Sequence, residues 1–192
     1  MDDIRNILSP PQRLAIAYAP AKVRAAFSLL LAFDGKLRDV VANTGETLIG
    51  QLKLAWWREA IAAEPKDRPR GEPLLRRLSD LASPDIRPEL DMLVTAWEEL
   101  LLDGGDGHSQ TNFADHRGAA IFGGFARLIG IDIDVADLGR AWALADLDGD
   151  RTFVKDAGRL PPRRALRPLT ILALSVREVS GSRLVWHALT GR

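Results

Sequence analysis

The sequence predicts an all-α protein. Apolar residues recur at three- and four-residue spacing through most of its 192 positions, and proline, glycine and Asp/Asn clusters cut that pattern into pieces. Strand signals, alternating runs of β-branched and aromatic residues, are nearly absent. An up-and-down arrangement of about seven helices with mostly short connections follows. No repeat of 20 to 50 residues points to a solenoid, so residues 1–192 are expected to form a single domain.

Pro10-Pro11 offers the first helix start, and Leu14, Ala17, Tyr18 and Ala21 keep helical spacing through Pro20, which predicts a short helix, a break and a longer helix carrying Ala25, Leu29 and Ala32. After the Asn43-Thr44-Gly45 turn, Glu46 to Glu64 places Leu48, Ile49, Leu52, Ala55, Trp56 and Ala60 on one broad stripe, expected to face the core, and Pro65 ends it. Pro65 to Pro73 holds three prolines, a glycine and five charges and reads as a solvated connection before a short helix with Leu74, Leu75, Leu78 and Leu81. Pro88 starts a helix with Leu90, Leu93, Val94, Trp97 and Leu101 on one face, which Asp103-Gly104-Gly105-Asp106-Gly107 stops. Helices near 111–129 and 135–149, a Pro161-Pro162 break and a helix from about Arg167 to Val179 complete the pattern. Gly118, Gly123 and Gly124 within a helix cost about 1 kcal/mol each against alanine, which favours close backbone contact with another helix over room for a ligand.

Apolar residues are 46% and charged residues 27% of the chain, values that exclude disordered and collagen-like classes. The absence of cysteine excludes disulfides, thiolate metal sites and a thiol nucleophile. The acidic start, Met1-Asp2-Asp3, is unlike a targeting peptide, and no apolar run reaches the roughly 20 residues that span a bilayer. A cytoplasmic location is expected, with a peripheral membrane position as the alternative. Formal charge is zero but uneven: residues 1–84 sum to +3, 85–150 to −10 and 151–192 to +7. These regions are expected to neutralise one another on folding, and no basic motif interleaved with aromatics argues for nucleic acid.

Few motifs carry chemistry. Asp146, Asp148 and Asp150 begin like a calcium loop, but Arg151 and Ala157 stand where an EF-hand needs glycine and glutamate. On a helix, Asp146 and Asp150 share a face at i, i+4, as carboxylates do when they hold Mg²⁺ against a diphosphate, or they form a solvated acidic helix end. The three histidines are scattered, and no nucleophile elbow, P-loop or dinucleotide fingerprint is present. In Trp56-Trp57-Arg58 the two rings project about 100° apart, so one lies nearer the helix flank. Core packing with an Arg58 ion pair and a ligand site are both compatible with the triplet.

The stretch from Ala17 to Ile61, with Tyr18-Ala19-Pro20, Arg24, Leu30-Leu31-Ala32-Phe33 and Ile49-Gly50-Gln51-Leu52-Lys53-Leu54-Ala55-Trp56-Trp57-Arg58-Glu59, resembles the squalene/phytoene synthase family. The region from Leu138-Gly139 to Pro161 and the tail with Leu166-Arg167-Pro168-Leu169 and Leu189-Thr190-Gly191-Arg192 look like later parts of the same family. The resemblance implies a shortened isoprenoid-synthase-like helical bundle around a central cavity. Active members carry two aspartate-rich helical motifs that bind Mg²⁺ and prenyl diphosphates. Against the first, Leu31-Ala32-Phe33-Asp34-Gly35 stands for a Tyr-Ala-Phe-Cys-Arg run, and Arg38, Asp39 and Ala42 for the three aspartates, so only Asp39 is kept. Against the second, Asp150 is kept and Val154 replaces its partner.

Ionising an allylic diphosphate depends on Mg²⁺ neutralising the charge on the leaving group, and Mg²⁺ needs one or two carboxylates at each site. One aspartate per motif, with Arg38 in place of a carboxylate, under-ligates that metal. The resemblance therefore implies a catalytically degenerate protein with a binding or assembly role toward a prenyl lipid or a protein partner, closest to a motif-poor branch that includes a mitochondrial respiratory complex I assembly factor. The alternative is an active prenyl transferase of squalene/phytoene synthase type, with Asp39, Asp146 and Asp150 holding Mg²⁺ and Arg58, Arg151, Tyr18 and Trp57 meeting the prenyl diphosphate.

Overall fold

In a computed structural model, residues 7–81, 84–102, 108–148 and 163–176 are described, and they form helices, turns and loops with no strand among them. Helix α1 (Pro10–Tyr18) begins at a capping box: the Ser9 hydroxyl accepts from the Gln12 N–H, and the Gln12 side chain accepts from the Ser9 N–H at 2.8 Å. Pro20 separates it from α2 (Ala21–Ala42), as the sequence predicts, and Arg24 of α2 donates back to the carbonyls of Ala17 and Ala19. Thus α2 can be long while α1 still has its last carbonyls satisfied. Phe27, Leu30, Leu31, Phe33 and Leu37 of α2 are buried, making it the central helix of the core.

Helix α3 (Thr47–Ala62) has the predicted span but turns the opposite face inward. Gly50, Leu54, Trp57, Ala60 and Ile61 are buried, whereas Leu48, Ile49, Leu52, Ala55 and Trp56, expected in the core, are exposed. The reason lies at Gly50: a Cβ there would come within 2.6 Å of the Leu101 side chain, so the bare backbone admits its neighbour on that side. The next loop also differs from expectation. Arg68 is buried, with its guanidinium donating to the carbonyls of Ala63 and Ile61 and to Ser79, which ties the end of α3 to α4 (Pro73–Asp80).

Helix α5 (Arg87–Leu102) packs between α3 and α6 (His108–Gly118). A single π turn at Ala119–Gly123 continues α6 into α7 (Gly124–Ile129), which ends at Gly130 with φ 69°. Helix α8 (Ala136–Asp148) packs on α6, and α9 (Arg167–Ser175) packs on α1. The predicted 103–107 terminator, the Pro161-Pro162 break and the extension of the last helix to Val179 lie outside the described residues. No helix among the described residues is long and apolar enough to cross a membrane.

Candidate functional site

The site begins with a contradiction in the α2 pattern, for Asp34 stands on the same stripe as Leu30 and Leu37 and is fully buried. A buried carboxylate needs a partner, and α6 supplies one. Phe113, Ala114 and Arg117 share the buried face of α6, and Arg117 is as fully buried as Asp34. The helices that carry it inward touch backbone to backbone. A Cβ on Gly118 would lie 2.4 Å from the Gly139 carbonyl carbon, so both glycines are needed for α6 and α8 to approach this closely. The expectation of close helix packing holds at Gly118 and fails at Gly123, which faces open space.

That approach assembles a quartet of charges from three helices. Arg117 Nε donates to Asp34 Oδ1 at 2.9 Å and Nη2 to Asp34 Oδ2 at 2.7 Å, a two-pronged pair. Its Nη2 also reaches Asp146 Oδ2 of α8 at 2.5 Å, and Nη1 donates to the Ala143 carbonyl at 3.2 Å. Trp97 of α5 adds an indole N–H to Asp34 Oδ1 at 2.9 Å. Arg38, one helical turn beyond Asp34, binds the same Asp146 carboxylate, while its own Nε is buried without a hydrogen-bond partner. Around the Arg117 guanidinium lie Trp142, Trp97 and Phe113, with ring centroids at 4.4, 5.5 and 5.6 Å.

The quartet is formally neutral, two cations against two anions. Burial alone would push the Arg117 guanidinium down, but the carboxylates of Asp34 and Asp146 outweigh it and hold its pKa above the ordinary arginine value. For Asp146 burial pushes the carboxyl up, and Arg117 and Arg38 together outweigh it and hold it below the usual carboxylate range. Both groups stay ionised because they face each other.

The residues singled out in the sequence do not converge. Only Asp146 enters the quartet. Asp39 is exposed, since it lies about 100° around α2 from Arg38, so Arg38 rather than Asp39 faces α8. Trp57 is buried edge-on against Phe33 of α2, with ring centroids 5.3 Å apart. Arg58 turns toward α5 and pairs with Asp91 at 2.6 Å and Glu98 at 2.5 Å, which accords with the core-packing and ion-pair reading of the tryptophan-arginine triplet. Tyr18 packs under Arg167 of α9, whose guanidinium carbon is 5.9 Å from the ring centroid. Asp150 and Arg151 lie outside the described residues.

The donor set tests the implied Mg²⁺. Asp146 is shared by two guanidinium groups, Asp39 is exposed, and no group of three or more His, Cys, Asp or Glu residues able to hold a metal occurs among the described residues. These residues do not fit the metal. Asp34, Arg117 and Trp97, the centre of the arrangement, were missed by the sequence reading. Their signal was a lone charge on an apolar stripe in each of two helices, of opposite sign.

No curated protein and no solved structure matches the chain. The squalene/phytoene synthase family model does match, over the residues that form α1, α2, α3, α4 and most of α5. Over that stretch, residues 11–99, the chain is similar to the squalene/phytoene synthase family.

Proposed function

We propose that the chain is a catalytically degenerate squalene/phytoene synthase-like protein with a binding or assembly role, its helical body offered to a prenyl lipid or a protein partner. The observation that supports this reading is the engagement of Asp146 by Arg117 and Arg38. A carboxylate that is to ligate Mg²⁺ must present free lone pairs, and here moving it to a metal would strip a partner from a fully buried guanidinium. Transition-state charge on a departing diphosphate would then be met by no metal held at this carboxylate. No step of prenyl transfer is assigned to these residues.

Thermal denaturation with farnesyl and geranylgeranyl diphosphate, each with and without Mg²⁺, tests the reading, alongside an assay for release of diphosphate. A ligand at about 100 times its dissociation constant adds roughly 2.7 kcal/mol, a rise of roughly 5 to 10 °C for a chain of this size. The expected result is no Mg²⁺-dependent rise and no turnover, whatever the lipid does alone. Turnover of either diphosphate overturns the proposal and returns the chain to the enzymes.

A further inference from the structure

The free face of α3 is apolar on a helix whose other face is already in the core. Leu48, Ile49, Leu52 and Trp56 are 65%, 44%, 64% and 42% exposed, and Ala55 beside them is exposed too. A helix apolar on both sides belongs inside a protein or an assembly, and α3 packs only its Gly50–Leu54–Trp57–Ile61 face against α2 and α5. With large side chains offering about 150 to 250 Å² each, these residues leave roughly 400 Å² of apolar surface open, at the level that marks an interaction site.

We infer that this face pairs with the same face of a second copy of the chain. The pattern is symmetric about Leu52: residues three and four positions away on either side, Ile49 and Ala55, Leu48 and Trp56, are all apolar. An antiparallel pairing on a two-fold axis at Leu52 sets Leu52 against its mate, Leu48 against Trp56 and Ile49 against Ala55. In each unlike pair the larger side chain then meets a smaller one, Trp56 a leucine and Ile49 an alanine, the self-complementarity an isologous interface requires. No charged residue stands at these five positions, and the chain's formal charge is zero, so two copies meet without net repulsion. Beyond the stripe, Glu59 falls opposite Gly45, which faces open space.

The area fits a weak, concentration-dependent pair. Two such faces bury about 800 Å² from the apolar residues alone, and the flanking Gln51 and Lys53 add to it, which is below the roughly 1,200 Å² of a stable interface and in the range of weak contacts.

Light scattering on the full chain from about 1 to 200 μM is expected to give twice the 21.1 kDa chain mass. Leu52→Glu sets two carboxylates on the axis, and a dissociation constant raised at least a hundredfold is expected, with unchanged far-ultraviolet circular dichroism because Leu52 is exposed. The chain has no cysteine, so a single Leu52→Cys is expected to form a disulfide-linked dimer under mild oxidation while Lys66→Cys, in the exposed loop after α3, does not. A wild-type monomer across the range overturns the inference, and so does a dimer that Leu52→Glu leaves intact. A monomer that instead binds phosphatidylserine vesicles through Trp56 also overturns it and assigns the face to a lipid surface.

Discussion

Replacing Arg117 by methionine removes, among the described residues, the one cation that touches both Asp34 and Asp146. Asp34 then keeps only the Trp97 indole N–H, and its charge is left in a site with no solvent exposure. Stripping one partner from a buried pair costs about 3 to 5 kcal/mol, a large share of the roughly 5 to 15 kcal/mol that holds a domain together. With a urea slope of about 2 to 3 kcal/mol per M, the unfolding midpoint falls by about 1.5 M. Trp97 and Trp142 flank the guanidinium, so tryptophan emission follows the transition directly. Combining Arg117→Met with Asp34→Leu removes both charges and is expected to recover about half the loss, because the Trp97 N–H is then the orphan, at about 1 to 3 kcal/mol. If Arg117→Met lies within about 0.5 kcal/mol of wild type, or if the double variant recovers nothing, Asp34 and Arg117 do not form the buried pair described.

Trp97→Phe deletes a single donor to Asp34 while Arg117 stays, so a loss of about 1 to 2 kcal/mol is expected by urea unfolding, clearly less than for Arg117→Met. Two glycine substitutions on one helical run should differ in sign. Gly118→Ala drives a Cβ into the Gly139 backbone and is expected to lose about 1 to 3 kcal/mol, whereas Gly123→Ala meets nothing within 4 Å and gains up to about 1 kcal/mol in thermal unfolding. Asp146 has its folded pKa below the ordinary value of 3.8, so the unfolded chain binds the proton first as pH falls. Its contribution is therefore complete above about pH 5 and lost as pH drops through 3.8 toward the folded value. The melting-temperature gap between wild type and Asp146→Asn is expected to narrow over that window.

Helix limits were legible because their causes are local. Pro10-Pro11, Pro20 and Pro73 act on their own backbone, and the structure starts or breaks helices at each. Which face of a helix goes inward is decided elsewhere. On α3 the sequence offers two apolar faces, and the choice between them falls to Gly50 beneath Leu101 and to Trp57 against Phe33, contacts with residues 51 and 24 positions away. The site was hidden in the same way. Asp34 and Arg117 each sit on an apolar stripe where a charge is out of place, yet neither explains the other until α6 and α8 close at Gly118 and Gly139. Asp39 matches an aspartate motif but lies one step beyond Arg38, and 100° of helical rotation carries it to the surface.

A guanidinium held between two carboxylates differs from a divalent cation in more than charge. Mg²⁺ exchanges with solvent and keeps positions open for an incoming oxygen, whereas Arg117 is tethered and has four of its five N–H bonds committed: one from Nε and one from Nη2 to Asp34, one from Nη2 to Asp146, one from Nη1 to Ala143. One Nη1 N–H remains, and the full burial of Arg117 closes it to a diphosphate. Placing a carboxylate at position 38 is for this reason not enough to build a metal site. Arg38→Asp would place a carboxylate near Asp146, but Arg117 would still hold Asp146 at 2.5 Å, and a cation would have to break that bond and leave the guanidinium buried with a single carboxylate. The expected outcome is a less stable protein whose melting temperature Mg²⁺ does not raise. A rise of several degrees at millimolar Mg²⁺ would mean that Asp146 leaves Arg117 readily, and that the arginine holds the site shut more loosely than its burial implies.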